Sequence, residues 1–303
     1  SPGVFSLENV EVKIREGEWA TRADYWRTEP LPNTGYYAGG NSGLTSISKT
    51  QFATDTSSNI SPNLLIMRGN GSTITSETAL YMAAGAPASP PVTTKTDKLV
   101  YATDTVSTLP GNIPAPSNYG IYQTNKGMFG TKTAGYMAGG VNWPGFTTIN
   151  DVWKLPYGTE SWTQIPGMPQ NMSRRVATSS ETHGYVGSGY WPSGGKDSRV
   201  YKISYSTDSG SNFSTLNGFA SATGGSATSS PDAGYVVGGD NNYTYKLPFS
   251  TDATNRLPGS NYPLSEVSGQ GAAGNTTHGY HGGGEGGPSG VRSSIFKFNY
   301  VTG

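Results

Sequence analysis

The sequence predicts an all-β chain folded as a six-bladed β-propeller with four-stranded blades. Three observations carry that prediction. A Gly-Tyr or Leu-Tyr step followed by small residues recurs six times, its tyrosines 45, 55, 49, 50 and 45 residues apart. A second motif follows each copy at fixed internal spacing: lysine, two residues, an aromatic, one residue, threonine and usually an acid. The composition, 43 Gly and 20 Pro among 303 residues with 19 Tyr, 9 Phe and 6 Trp spread along the chain, suits many short strands joined by tight turns. A repeat of this period is one supersecondary unit that buries its apolar face only against its neighbours.

The first motif reads Tyr36-Tyr37-Ala38-Gly39-Gly40, Tyr81-Met82-Ala83-Ala84-Gly85 and Tyr136-Met137-Ala138-Gly139-Gly140 in the first three copies. It returns as Tyr185-Val186-Gly187-Ser188-Gly189, Tyr235-Val236-Val237-Gly238-Gly239 and Tyr280-His281-Gly282-Gly283-Gly284. We read it as a short buried strand ending in glycines, which permit positive φ and close backbone approach. The second motif begins at Lys49 (Phe52, Thr54, Asp55), Lys98 (Tyr101, Thr103, Asp104), Lys154 (Tyr157, Thr159, Glu160), Lys202 (Tyr205, Thr207, Asp208), Lys246 (Phe249, Thr251, Asp252) and Lys297 (Tyr300, Thr302). It reads as a strand whose Thr-Asp step closes an ST- or Asx-turn. Leu109-Pro110-Gly111, Ile165-Pro166-Gly167 and Leu257-Pro258-Gly259 then end a further strand, and alternating stretches such as 175–182 lead into the next copy. That makes four strands per unit, a propeller blade.

Residues 34–303 thus form six repeats of a single domain, and 1–33 supply a tether (residues 1–9) and closure strands. The sixth copy stops at Thr302-Gly303, while Val10, Val12 and Ile14 alternate with Glu11, Lys13 and Arg15. Residues 9–15 are therefore expected to complete the sixth blade, pairing with the strand that contains Ile295 to Tyr300, and residues around 19–32 to supply the first strand of blade one.

The six lysines need partners, because lysine is rarely buried. Lysine and acid of one copy lie six residues apart, about 20 Å along a straight strand at roughly 3.3 Å per residue, so they are not expected to pair. Snorkelling, or hydrogen bonding to carbonyls of a neighbouring blade, is expected instead. His183 and His278 occupy equivalent turns before Gly-Tyr, and with His281 they lack a further ligand cluster, so no metal and no cofactor are expected. The stretch 206–213 fits the Asp-box pattern and is read as a structural turn.

Two consecutive copies carry aromatics held by Pro and Gly in the loop after the glycine motif, Trp143 with Phe146 and Tyr190 with Trp191. They are candidate binding residues, a stacking platform for sugar rings or a protein partner; the structural alternative is a water-excluding cap. Net charge is zero with no Lys/Arg block, and the longest apolar run, Leu64 to Met67, is far too short for a bilayer, so neither nucleic acid nor membrane insertion is expected. There is no cysteine, which removes disulfide, cysteine-nucleophile and cysteine-metal chemistry.

The order of apolar strand, Gly-Gly, variable loop, aromatic strand with acidic turn and Leu-Pro resembles the kelch repeat across residues 34–303. It departs in the tryptophan that usually follows the third strand, present only as Trp162, and in copy two, which keeps the single glycine Gly85. The kelch-related copper oxidases use a cysteine-linked tyrosine, which this chain lacks. In Tyr136 to Gly140, Lys98 to Asp104 and Lys202 to Asp208 the repeat style further resembles the Gly/Ser/Thr-rich propeller proteins of marine tailed bacteriophages, including cyanophages. That resemblance implies a non-enzymatic virion surface protein, decorating a capsid or attached to a tail, whose partners are other virion proteins or host-surface glycan or protein. A secreted or cell-surface glycan-binding propeller is the second reading and a sialidase-like hydrolase the third, since propellers host all three.

Overall fold

The computed structural model describes residues 34–39, 45–67, 71–85, 93–114, 121–122, 127–142, 147–171, 173, 176–190, 196–215, 224–239, 242–257, 270–284, 290 and 294–301. Blade one contains β1 (Thr34–Ala38), β2 (Ile47–Gln51) and β3 (Thr56–Ile60), and blade two β4 (Ser72–Thr75), β5 (Ala79–Ala83), β6 (Thr96–Val100) and β7 (Thr105–Thr108). Blade three contains β8 (Ile121–Tyr122), β9 (Gly127–Gly130), β10 (Ala134–Asn142), β11 (Thr148–Pro156) and β12 (Thr163–Ile165). Blade four contains β13 (Val176–Ser179), β14 (His183–Tyr190), β15 (Lys196–Ser204) and β16 (Ser209–Thr215). Blade five contains β17 (Ser226–Ser229), β18 (Ala233–Val237), β19 (Thr244–Pro248) and β20 (Asn255–Arg256), and blade six β21 (Gly271–Gly274), β22 (His278–Gly282) and β23 (Ile295–Asn299). Every pairing is antiparallel, and the blades are meanders, with β8 of blade three added against the far end of β10 beyond β9. The protein is a six-bladed β-propeller. The expected closure strands, residues 9–15 and 19–32, lie outside the described residues.

The leading described strands follow one another round the wheel: β4, β9, β13, β17 and β21 of blades two to six touch in succession, and β21 meets β1 of blade one. The core is divided into layers between blades rather than gathered in one mass. Ile74 and Tyr81 of blade two pack with Met137 and Trp153 of blade three, and Phe129 and Tyr136 of blade three with Val186 and Tyr201 of blade four. The expected glycines with positive φ follow the second strands at Gly39 (74°), Gly238 (75°) and Gly283 (69°), while Gly139 (69°) sits at a bulge inside β10. Copy two, which lacks the first glycine, holds Ala84 in the same left-handed region at 54°.

The leading glycine of Gly-Tyr has a separate role. A Cβ on Gly135 would lie 2.0 Å from Ile74 Cδ1, and one on Gly184 would lie 2.1 Å from Phe129 Cδ2. In both, the intruding side chain comes from the first strand of the preceding blade. A bare α-carbon there lets that strand nest against its neighbour.

The turn between first and second strands has its own chemistry. The Oγ of Ser76, Thr131, Ser180 and Ser230 accepts the backbone N–H three residues on, and the Oδ1 of Asn275 does the same. These side chains close the turn as an ST- or Asx-turn. His183 and His278, expected in the turn itself, instead begin β14 and β22 directly after it.

Candidate functional site: the blade junctions

The two repeat motifs meet within a blade and then again between blades. Within a blade, tyrosine and lysine are directly opposite: Tyr36 faces Lys49, Tyr81 Lys98, Tyr136 Lys154, Tyr185 Lys202, Tyr235 Lys246 and Tyr280 Lys297. Cross-strand pairing sets each ammonium 5.3 to 5.8 Å from its tyrosine ring centroid.

Between blades, each tyrosine stacks on the aromatic of the following copy. Tyr36 lies 4.9 Å from Tyr101, Tyr81 5.2 Å from Tyr157, Tyr136 5.1 Å from Tyr205, Tyr185 5.2 Å from Phe249, Tyr235 4.6 Å from Tyr300 and Tyr280 4.5 Å from Phe52. The six aromatics are packed at the junctions; Phe52 and Tyr300 are fully buried and the other four half-buried.

The acid of the following copy then reaches back to both groups. Lys49 meets Asp104 at 3.2 Å, Lys154 meets Asp208 at 2.7 Å, Lys202 meets Asp252 at 2.6 Å and Lys297 meets Asp55 at 2.8 Å, with Lys98 paired to Glu160. The tyrosine hydroxyl donates to the same carboxylate: Tyr81 to Glu160, Tyr136 to Asp208 and Tyr185 to Asp252 at 2.9 Å, and Tyr280 to Asp55 at 3.0 Å. Asp55, Asp104, Glu160, Asp208 and Asp252 all sit at φ between 48° and 57°. That left-handed backbone turns the carboxylate off its own hairpin and onto the neighbouring blade.

Two expectations are corrected here. Lys49, Lys98, Lys154, Lys202 and Lys297 pair with carboxylates of the next blade, not with its carbonyls; the strand-length argument against pairing within a copy holds, but it did not consider the next copy. The acid does not close its own turn. Hydroxyl pairs bridge three of these turns, Thr54 with Thr56, Thr103 with Thr105 and Thr207 with Ser209, and in copies three and five the backbone N–H of Glu160 and of Asp252 donates to the Pro156 and Pro248 carbonyls. Asp208, the acid of the Asp-box, serves the Lys154 junction, in keeping with its structural reading.

The electrostatics follow from the packing. Burial, reinforced by the acid, raises the phenol pKa of Tyr81, Tyr136, Tyr185 and Tyr280, so these hydroxyls stay protonated as donors. Hydrogen bonds from Lys297 and Tyr280 hold the Asp55 carboxyl below its usual range. Blades five and six share a buried polar cluster in which His281, fully buried, lies 2.7 Å from Ser226 Oγ and 3.4 Å from Thr228 Oγ1. Ser226 in turn donates to Gln270 Oε1 at 2.9 Å. Burial pushes the His281 pKa down to about 3. With both ring nitrogens facing hydroxyls, this histidine serves the core.

Of the candidate binding residues, Trp143, Phe146 and Trp191 lie outside the described residues, as does the side chain of Tyr190. The strands that lead into them are described. Strands β10 and β14 run 9 and 8 residues and their partners β11 and β15 run 9 each, against 5 for β1, β5, β18 and β22. The two hairpins that carry the aromatic loops therefore belong to adjacent blades and have the longest strands of their kind. Elsewhere the described surface holds two shallow clefts. One, of about 170 Å³, is lined by His183, Lys202, Ser204, Ser209, Gly210 and Ser211, and the other, of about 130 Å³, by Thr50, Asp55, Tyr280, Ile295 and Lys297. Both flank junctions, whose ionic groups are already engaged with one another.

Neither a family model nor a curated protein matches the chain. Among solved structures it is similar to "Structure of YjhT", with a TM-score of 0.70 and 12% sequence identity over 88% of this chain and 95% of that one. At this identity the likeness is one of fold.

Proposed function

We propose that this protein is a non-enzymatic binding propeller of a tailed-phage virion surface, whose contact surface is the loop pair following β10 and β14. The observation that carries the reading is the pair of lengthened hairpins on adjacent blades, each leading into Trp or Phe beside Pro and Gly. Rigid aromatics on a rigid scaffold give large contact area at low entropic cost. The junctions support the same reading, because they tie the repeat's lysines and acids into the wheel. The virion assignment rests on the likeness of the repeats to phage propellers. A secreted or cell-surface glycan-binding propeller is the second reading, favoured by the same loops, since aromatic platforms also stack on sugar rings.

The test is a Trp143→Ala/Trp191→Ala double variant, assayed for attachment to particles and host envelopes and on a glycan array. Loss of particle or envelope binding in a folded variant supports the first reading, and loss confined to free glycans supports the second. Binding should depend weakly on salt, because few ion pairs are available to screen. Unchanged binding by a folded variant would make these residues water-excluding caps and sink both readings.

A further inference from the structure

Strand register builds a polar face on blade four, at the end of β14 away from its aromatic loop. His183 stands opposite Ser204 and Ser204 opposite Ser209, while Tyr185 stands opposite Lys202 and Lys202 opposite Ser211. Residues directly opposite, and residues two apart along a strand, share one side of a sheet. The cleft of about 170 Å³ lies on this face, lined by His183, Lys202, Ser204, Ser209 and Ser211 together with Gly210. The Asp-box stretch thus supplies Ser209, Gly210 and Ser211, all exposed, so the cleft is open to solvent.

The other blades carry different pairs at the register of His183 and Ser204. Blades two, three and five have Ala79 with Val100, Ala134 with Pro156 and Ala233 with Pro248, and blade one has Thr34 with Gln51. Blade six repeats the histidine as His278, but opposite it stands Asn299, whose Nδ2 lies 3.3 Å from His278 Nε2. Both imidazoles hold Nδ1 against the preceding threonine, Thr182 or Thr277, at 2.8 Å. In blade four the shorter Ser204 does not reach the ring, and its hydroxyl meets Ser206 Oγ at 3.0 Å instead. Among the described residues no hydrogen bond reaches His183 Nε2 or the Ser211 hydroxyl.

The charges around the cleft cancel. Lys202 is paired to Asp252 at 2.6 Å. Burial, helped by the Lys202 charge and opposed by Asp252, lowers the His183 pKa, so the ring is neutral near pH 7. What remains is the neutral imidazole with three hydroxyls, of which Ser204 and Ser209, bonded to Ser206 and Thr207, keep spare lone pairs. A ligand hydroxyl can donate to or accept from His183 Nε2 and so suits either tautomer, whereas an oxyanion suits only one and finds no net positive charge. The cleft is smaller than the roughly 300–1,000 Å³ that encloses a drug-sized ligand, so it takes the edge of one ring. We propose that this cleft binds the diol edge of a neutral sugar, with His183 Nε2 and Ser211 Oγ meeting adjacent hydroxyls. The site is separate from the aromatic loops and does not rest on their reading.

The experiment follows the ring NMR signals of the three histidines in the full chain. The methyl α-glycosides of glucose, galactose and mannose are added in turn, which together present equatorial and axial diols. We expect at least one to shift the His183 signal saturably, with His278 and His281 unmoved. Ser204→Asn gives blade four the partner that blade six already has and should abolish the shift. Ser211→Ala should weaken binding about 3–10-fold. An unchanged His281 signal shows that each variant is folded. Trp143→Ala/Trp191→Ala should bind these sugars at His183 as the wild type does, so the two sites fail independently. The inference is overturned if no glycoside moves His183, if Ser204→Asn responds like the wild type, or if the tryptophan variant loses the shift. It is also overturned if acetate at constant pH binds there more tightly than the sugars, because the cleft would then be an anion site.

Discussion

His281 is fully buried and contacts hydroxyls rather than a charge. The neutral ring is well served, since Ser226 and Thr228 each face one nitrogen. A second ring proton would find no compensating anion in this cluster, and burial therefore holds the pKa near 3. The sign for stability follows. Below the ordinary histidine value of about 6.5 the unfolded chain takes up a proton that the folded chain refuses. The contribution of His281 is thus complete above that value and declines as pH falls toward 3, with a slope approaching about 1.4 kcal/mol per unit. Denaturant unfolding of the wild type and of His281→Gln between pH 7.5 and 4 should show the wild type losing more. Parallel curves would mean the imidazole is accessible to protons in the native state. The carboxylate junctions also weaken in acid, but they do so equally in both proteins, so the difference isolates the histidine.

At the scale of the strand and the blade, the repeating unit of stability is the junction. Its stacked pair is worth about 0.5–1.5 kcal/mol beyond area burial, and its tyrosine-to-carboxylate bond about 1.5–3 kcal/mol. The ion pairs are partly exposed and contribute less, on the order of 1 kcal/mol or below. Shape adds a further constraint, because the leading glycines receive side chains from the preceding blade. Gly135→Ala forces a methyl group into Ile74 of β4 and should cost at least about 1–3 kcal/mol in denaturant unfolding. Ile74→Ala in the same chain should recover part of that loss, although Ile74→Ala alone is destabilising. Strictly additive losses would show that Gly135 is required for its backbone freedom and not for the space it leaves.

For the whole molecule, the junctions make a closed cycle: Lys297 to Asp55, Tyr280 to Phe52 and Tyr37 to the Tyr280 carbonyl join the last blade to the first. A ring has no terminal repeat, so no blade frays independently as the end of a linear array does. Removing residues 1–16 leaves these side-chain contacts but withdraws the strand expected on the outside of β23. The truncated protein should melt at a markedly lower temperature, because the outer edge of β23 loses its expected partner strand. An unchanged transition would place the N-terminal segment outside the wheel.

The periodicity of this chain was sufficient to determine the blade. Six tyrosines and six lysines, each in a motif of fixed internal spacing, set the second and third strands. Those features are local, because strand geometry relates residues to near neighbours in sequence. The sequence also contained the signal of the ST-turn, a Ser, Thr or Asn four residues before Gly-Tyr in the stretch Ser180-Glu181-Thr182-His183 and its equivalents, which the repeat reading passed over. The partner of each lysine was decided only by the tertiary structure. Lys154 and Asp208 are 54 residues apart and belong to different repeats, and within either repeat alone neither has a reason to face the other. Their meeting depends on the left-handed backbone of the acid and on the distance between neighbouring blades, both consequences of closing the sheets into a ring.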